Sequence, residues 1–228
     1  ITDGSAHFDT NGDFSYRWSP DGKWFTLEFV GNRHDPYYDI GLVSAEGGKP
    51  ITNLTNSGYM NNNPRFVMDG KAILFETERY GMRNHASWGS MGDLMLVFLN
   101  QDAYDKYRMS KEDYELQKEL EAEQKKEAEK AKQNNKKKED KKKDDKKDGK
   151  KENSDKKESK DIVVELENIE YRIVRLTPNS SSLGDAIITQ DGNTLFYLSR
   201  FESGYDLWKL DVKKRAPQLA QKGMGNGT

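Results

Sequence analysis

The chain of 228 residues has no cysteine, which excludes disulfides, thiolate metal sites and a cysteine nucleophile. It has three histidines, His7, His34 and His85, and none stands in an HExxH pair or beside a Gly-x-Ser-x-Gly turn. No apolar run approaches the roughly 18 residues of a transmembrane helix. The chain opens on Ile1-Thr2-Asp3-Gly4, with neither an initiator Met nor a charged-then-apolar leader. It ends in Lys222-Gly223-Met224-Gly225-Asn226-Gly227-Thr228, which reads like a loop cut mid-course, so the chain reads as an excerpt of a longer polypeptide. Charge of one sign is also missing. The 37 Lys+Arg and 39 Asp+Glu leave a formal charge of −2, and nucleic acid or anionic lipid is not attracted globally.

Apolar residues are scarce as well, at 33% with a mean hydropathy of −1.03. The scarcity is local. Residues 101–161 hold about 40 of the 76 charged side chains and about ten apolar ones. The remainder is of ordinary globular composition. A folded region therefore carries a highly charged insertion.

What the folded region contains is a repeat. Three segments share one pattern: Arg17-Trp18-Ser19-Pro20-Asp21-Gly22-Lys23-Trp24-Phe25-Thr26-Leu27, Arg65-Phe66-Val67-Met68-Asp69-Gly70-Lys71-Ala72-Ile73-Leu74-Phe75, and Ile187-Ile188-Thr189-Gln190-Asp191-Gly192-Asn193-Thr194-Leu195-Phe196-Tyr197. In each pair, Asp21-Gly22, Asp69-Gly70 and Asp191-Gly192, the Asp accepts backbone hydrogen bonds and the Gly takes positive φ, turning the chain between two strands. Phe25/Leu27, Ile73/Phe75 and Leu195/Tyr197 are spaced by two, so each pair lies on one strand face. Third strands are expected from Asp39, Asp93 and Asp206, and fourth strands at Pro50–Thr55, Tyr171–Thr177 and, more weakly, Ala216–Leu219. Four strands recurring about every 45–50 residues predict an all-β fold, a partial β-propeller of four-stranded blades. The blades are expected at 1–57, at 58–100 with 162–182, and at 183–228.

The second blade is interrupted. Asp39 to Leu54 spans about 15 residues and Asp93 to Leu176 about 83, so residues 101–161 form an insertion between third and fourth strands. Ser110-Lys111-Glu112-Asp113 makes an N-cap, and strong helix formers follow, predicting a helix over 111–132. From 134 to 160 nothing can offset the entropy of ordering, and disorder is expected. The many lysines do not make a nucleic-acid tail. The net charge of the insertion is about +2, and aromatic residues are absent after Tyr114.

No catalytic, cofactor or metal site is expected. His34 and His85 fall in loops joining second and third strands, where a solvated histidine is the favoured reading over a triad of His85 with Ser87 or Ser90 and an aspartate. Asp9-Thr10-Asn11-Gly12-Asp13 resembles the start of a calcium loop, but its glycine is misplaced and the twelfth position is Pro20.

The Ser-Pro-Asp-Gly-Lys segment with its alternating apolar residues resembles the repeats of TolB-type and prolyl-oligopeptidase-type propellers. More particular are Leu166-Glu167-Asn168-Ile169-Glu170-Tyr171-Arg172-Ile173-Val174-Arg175-Leu176-Thr177-Pro178-Asn179-Ser180-Ser181 and Leu198-Ser199-Arg200-Phe201-Glu202-Ser203-Gly204-Tyr205-Asp206-Leu207-Trp208. With a Lys/Glu-rich insertion inside a blade, they are similar to bacterial homologues of tricorn protease. That resemblance implies a parent with further propeller blades, a PDZ domain and a serine-peptidase core, in which the propellers admit or hold peptide substrates and help assemble a homo-oligomer. None of the catalytic residues of that family is carried onto this chain. A periplasmic setting is implied by the bacterial members and a cytoplasmic one by the archaeal prototype. The alternative is a TolB-like protein-binding module without enzymatic activity.

Overall fold

Each of the three Asp-Gly segments opens a four-stranded antiparallel sheet. A computed structural model of the chain describes residues 2–4, 6, 8, 15–31, 37–82, 89–139, 161–201 and 203–225. The first sheet, blade 1, orders β1 (Tyr16–Trp18), β2 (Trp24–Phe29), β3 (Asp39–Ser44) and β4 (Thr52–Asn53). Blade 2 orders β5 (Asn61–Val67), β6 (Ala72–Thr77), β7 (Asp93–Phe98) and β8 (Ile173–Arg175), and β8 arrives from beyond the insertion. Blade 3 orders β9 (Ser182–Ile188), β10 (Thr194–Arg200), β11 (Asp206–Asp211) and β12 (Ala216–Gln221).

Period-two alternation explains the stacking. In β6, Ile73 and Phe75 face one way and Ala72 and Leu74 the other. Ile73, Phe75, Met95 and Val97 of blade 2 share a core with Ile40, Leu42 and Leu54 of blade 1. On the opposite face, Ala72, Leu74, Leu94, Leu96 and Phe98 share a core with Ala186, Ile188, Leu195, Tyr197 and Leu210 of blade 3. Blade 2 is therefore apolar on both faces, as a sheet covered on both sides must be. The first strands approach one another: β1 touches β5, and Arg65 of β5 pairs with Asp185 of β9.

The chain divides into two units, Ile1–Tyr107 with Ser159–Thr228, and Arg108–Glu158. In the second unit, helix α2 spans Lys111–Glu139, seven residues beyond the expected end. Ser110 Oγ accepts the Asp113 amide at 3.1 Å and donates to the Asp113 carboxylate at 2.8 Å, a reciprocal N-cap. Lys111 and Glu115 form an i,i+4 ion pair along the helix. Most of the stretch expected to be disordered, 140–160, lies outside the described residues.

The two roots of the insertion are built into the blades. Helix α1 (Gln101–Arg108) starts with the Asn100 side chain accepting the Ala103 amide at 2.9 Å. It buries Ala103 and stacks Tyr104 and Tyr107 against Phe98. The returning segment from Asp161 lays Ile162 and Val164 on the core between blades 1 and 2. The buried guanidinium of Arg172 donates to the carbonyls of Phe98, Glu167 and Glu165, fastening this strap to the end of β7.

Candidate functional site

The Asp-Gly turns are not three copies of one device. In blade 1, Ser19 Oγ donates to Asp21 at 2.5 Å and accepts the Trp24 amide at 3.0 Å, while Asp21 accepts the Lys23 amide at 3.1 Å. In blade 3, Thr189 and Asp191 repeat the pattern, with the Thr194 and Asn193 amides at 3.0 and 3.1 Å. Blade 2 has Val67 where the hydroxyl would stand, and its chain takes a short 3₁₀ turn with Asp69 itself at φ +56°. Gly22, Gly70 and Gly192 all have positive φ, between +70° and +80°. At two of them a second constraint applies. A Cβ on Gly70 would strike Ile162 of the strap, and one on Gly192 would strike Met68 of the preceding blade.

The turn carboxylates also reach their neighbours. Asp69 accepts the Gln190 side chain of blade 3 at 2.6 Å. Asp21 accepts the Ile162 amide of the strap at 2.9 Å. Its partial burial works in the opposite direction, but hydrogen bonds from Ser19 and from the Ile162 and Lys23 amides hold Asp21 below the usual carboxylate range.

The aspartates opening the third strands pin the fourth. Asp39 accepts from Asn53, Thr55 Oγ1 and the Ser57 amide. Asp93 accepts from Arg175, Thr177 Oγ1 and Ser180 Oγ. Register makes Asn53 equivalent to Arg175, because Gly41 pairs with Asn53 and Met95 with Arg175. These contacts hold a blade together and are structural.

A row of polar groups crosses the inner strands and is the candidate site. Pro64 cannot donate to the β5–β6 ladder, so the register shifts between Asn62 and Arg65, with Asn63 at φ +53°. The bulge presents Asn63 to two carboxylates: its amide donates to Glu28 of blade 1 at 2.7 Å, and its side chain donates to Glu76 of blade 2 at 3.1 Å. Arg65 continues the row into blade 3, donating to Asp185 at 2.9 Å and to the Ala186 carbonyl. Burial pushes both Glu28 and Glu76 upward. The Asn63 amide and Arg17 oppose the shift at Glu28; Asn63 and Arg65 oppose it at Glu76, while Asp185 and Glu28 add to it. The row can hold or repel charged and hydrogen-bonding groups along the inner strands.

This row was not singled out from sequence, although two signals were present. Glu28 and Glu76 each stand seven residues after the turn aspartate, and Pro64 inside a strand announces a bulge. His7, His34, His85, Ser87 and the Asp9–Asp13 segment lie outside the described residues. Among the described residues no cluster of metal-ligating side chains occurs, and no helix is long and apolar enough to cross a membrane.

A concavity of about 550 Å³ lies on the face of blade 1 turned away from blade 2, lined by Phe8, Tyr16, Trp18, Phe25, Leu27 and Val43. Phe25, Leu27 and Val43 are buried there, and Tyr16 and Trp18 are exposed at its rim. Phe25 and Leu27 stand four and six residues after Asp21. Ile73/Phe75 and Leu195/Tyr197 hold the same positions and are covered by the preceding blade.

No protein-family model and no curated protein matches the chain. Solved structures do. The crystal structure of the tricorn protease aligns over 91% of this chain and 18% of its own length, with 12% identity and a TM-score of 0.51. TolB from Acinetobacter baumannii aligns over 92% of this chain and 32% of its own, with 13% identity and a TM-score of 0.45. A putative TolB from Agrobacterium tumefaciens aligns over 96% and 54%, with 15% identity and a TM-score of 0.45. The chain thus spans between about a fifth and about half of these neighbours. With three successive four-stranded sheets stacked face to face, the alignment to the tricorn protease identifies the fold as that of a partial β-propeller.

Proposed function

We propose that this chain is a non-catalytic propeller portion of a tricorn-like serine peptidase, serving substrate access or binding, or assembly of the parent. The observation that carries the reading is the face of blade 1 turned away from blade 2, with Tyr16 and Trp18 exposed on it. Its Phe25, Leu27 and Val43 repeat the positions at which blades 2 and 3 receive a preceding blade, and the exposed Tyr16 and Trp18 lie against Phe25, so the face suits a further blade of the same polypeptide. The fold likeness to the tricorn protease supports the choice of parent. The polar row on the inner strands supplies groups for passing peptides. In this reading the partners are the remaining blades, PDZ and peptidase domains of the parent and its peptide substrates, and the setting is periplasmic.

The test has two parts. The coding sequence downstream of Thr228 should specify a PDZ-like segment and a serine-nucleophile core. The intact parent should cleave peptides and react with a serine-directed reagent that leaves residues 1–228 unlabelled, and the isolated chain should not turn over substrate. Peptide turnover by the isolated chain that His85→Ala abolishes would overturn the proposal. A downstream sequence that ends without a peptidase core would favour the TolB-like binding module.

A further inference from the structure

We infer that Glu28, Glu76 and Asn63 form a proton-sensitive latch across the seam between blades 1 and 2. The geometry is specific. Glu28 lies on β2 of blade 1, and its carboxylate takes a backbone amide of blade 2, that of Asn63, at 2.7 Å. Glu76 lies on β6 of blade 2 and takes the side chain of the same asparagine at 3.1 Å. One residue therefore serves two carboxylates from adjacent blades, and it sits where the ladder is already broken by the bulge at Pro64. A backbone amide freed there has no ladder partner to return to.

The surroundings set the sign. Arg17 of β1 faces Glu28. Arg65 of β5 and Asp185 of β9 face Glu76, and the two glutamates face each other. Arg65 is shared with Asp185 and the Ala186 carbonyl, which divides its compensation between two acids. Burial favours the neutral form of both glutamates, so each is raised above its ordinary range. A carboxyl with a raised folded pKa contributes stability that is complete below the unfolded pKa and is lost as pH rises through the folded value. The seam is consequently tightest in mild acid and loosens toward neutrality, as two negative charges accumulate around one asparagine. This inference is independent of the proposed role in proteolysis and concerns the coupling of the blades alone.

Thermal unfolding of the full chain and of its Glu28→Gln, Glu76→Gln and doubly substituted variants, from pH 4.5 to 8, tests the latch. Glutamine keeps the acceptor oxygen and cannot ionise. The variants should melt with the wild type near pH 4.5 and above it at pH 8, by roughly 2–4 °C per substitution for a chain of this size. Carboxyl-carbon titration of the wild type by NMR, which does not depend on any variant folding, should place both groups above the ordinary value of about 4.3. Hydrogen exchange at the Asn63 amide, corrected for intrinsic base catalysis, should lose protection over the same interval. A difference between wild type and variants that does not change with pH, or ordinary titration of both carboxyls, overturns the inference.

Discussion

Blades 2 and 3 share an Asp-Gly pair between their first two strands, a strand order and an aspartate at the head of the third strand, yet that strand meets different fates. In blade 2 every residue of β7, Asp93 to Phe98, is buried. In blade 3, β11 buries Leu210 alone. After its aspartate β7 reads Leu94-Met95-Leu96-Val97-Phe98 and β11 Leu207-Trp208-Lys209-Leu210-Asp211, so the sequence of each strand matches its position: blade 2 is covered on both faces and blade 3 on one. The outer strands differ too. Asp93 gathers Arg175, Thr177 and Ser180, whereas Asp206 accepts the Gly223 amide at 2.8 Å. Ser57 holds the corresponding place in blade 1, so Leu219 and Gln221 stand where the other blades have Asn53/Arg175 and Thr55/Thr177. Repetition of backbone does not carry repetition of its hydrogen bonds.

Blade 2 also owes its cover to the roots of the insertion, and removing them should have the largest effect. Replacing about 112–158 with a short Gly/Ser linker should leave the β-type circular dichroism and the urea midpoint unchanged, because long surface loops close at little cost. Extending the deletion through 101–107 and 161–164 removes Ala103, Tyr104, Tyr107, Ile162 and Val164 from the two seams. At about 1.5–3 kcal/mol for each large buried side chain, the blade should then fail to fold, read as loss of a cooperative transition. Equal behaviour of the two deletions would mean that α1 and the strap contribute nothing to the seams.

The comparison of aspartates is sharper. Asp93→Ala strands the Arg175 guanidinium and the Thr177 hydroxyl, at a cost of about 3 kcal/mol. Asp206→Ala removes a hydrogen bond that is half-exposed, worth about 1 kcal/mol or less. Urea unfolding of the two variants checks the ratio, and equal costs would make blade position irrelevant. A smaller step in the same blade is Thr177→Val, which keeps the shape and loses the donor to Asp93 at 2.8 Å and the acceptor for the Leu94 amide at 3.2 Å. It should cost about 1–2 kcal/mol.

The strands and blades were legible because each is written in short-range terms: an Asp-Gly turn, alternation of two, an aspartate opening the next strand. The donors to that aspartate were not. Thr55 lies 16 residues from Asp39 and Thr177 lies 84 from Asp93, and a charged insertion intervenes in the second case. Partners at such different separations are equivalent only after the sheet is assembled. The Asn63 row is hidden for a similar reason, since Glu28 is 35 residues from Asn63 and Glu76 is 13. The shared offset of the two glutamates from their turn aspartates and the proline in β5 were local signals, but that Asn63 joins the two carboxylates emerges only once the bulge and the seam have formed.

If the donors alone distinguish the outer strand of blade 3, restoring one should narrow the gap. Gln221 occupies the place of Thr55 and Thr177, and its side chain turns back to the Lys222 carbonyl at 3.2 Å. Gln221→Thr offers a β-branched residue suited to a strand and a hydroxyl aimed at Asp206. The gain should be small, about 0.5 kcal/mol, because Asp206 is half-exposed and water competes for the same carboxylate. In the background of Asp206→Ala that gain should disappear, so a double-mutant cycle isolates the contact from the general preference of threonine for strands. A gain that survives the loss of Asp206 would assign the benefit to strand propensity. The bulge between Leu207 and Trp208 would then be what keeps the third blade from copying the second.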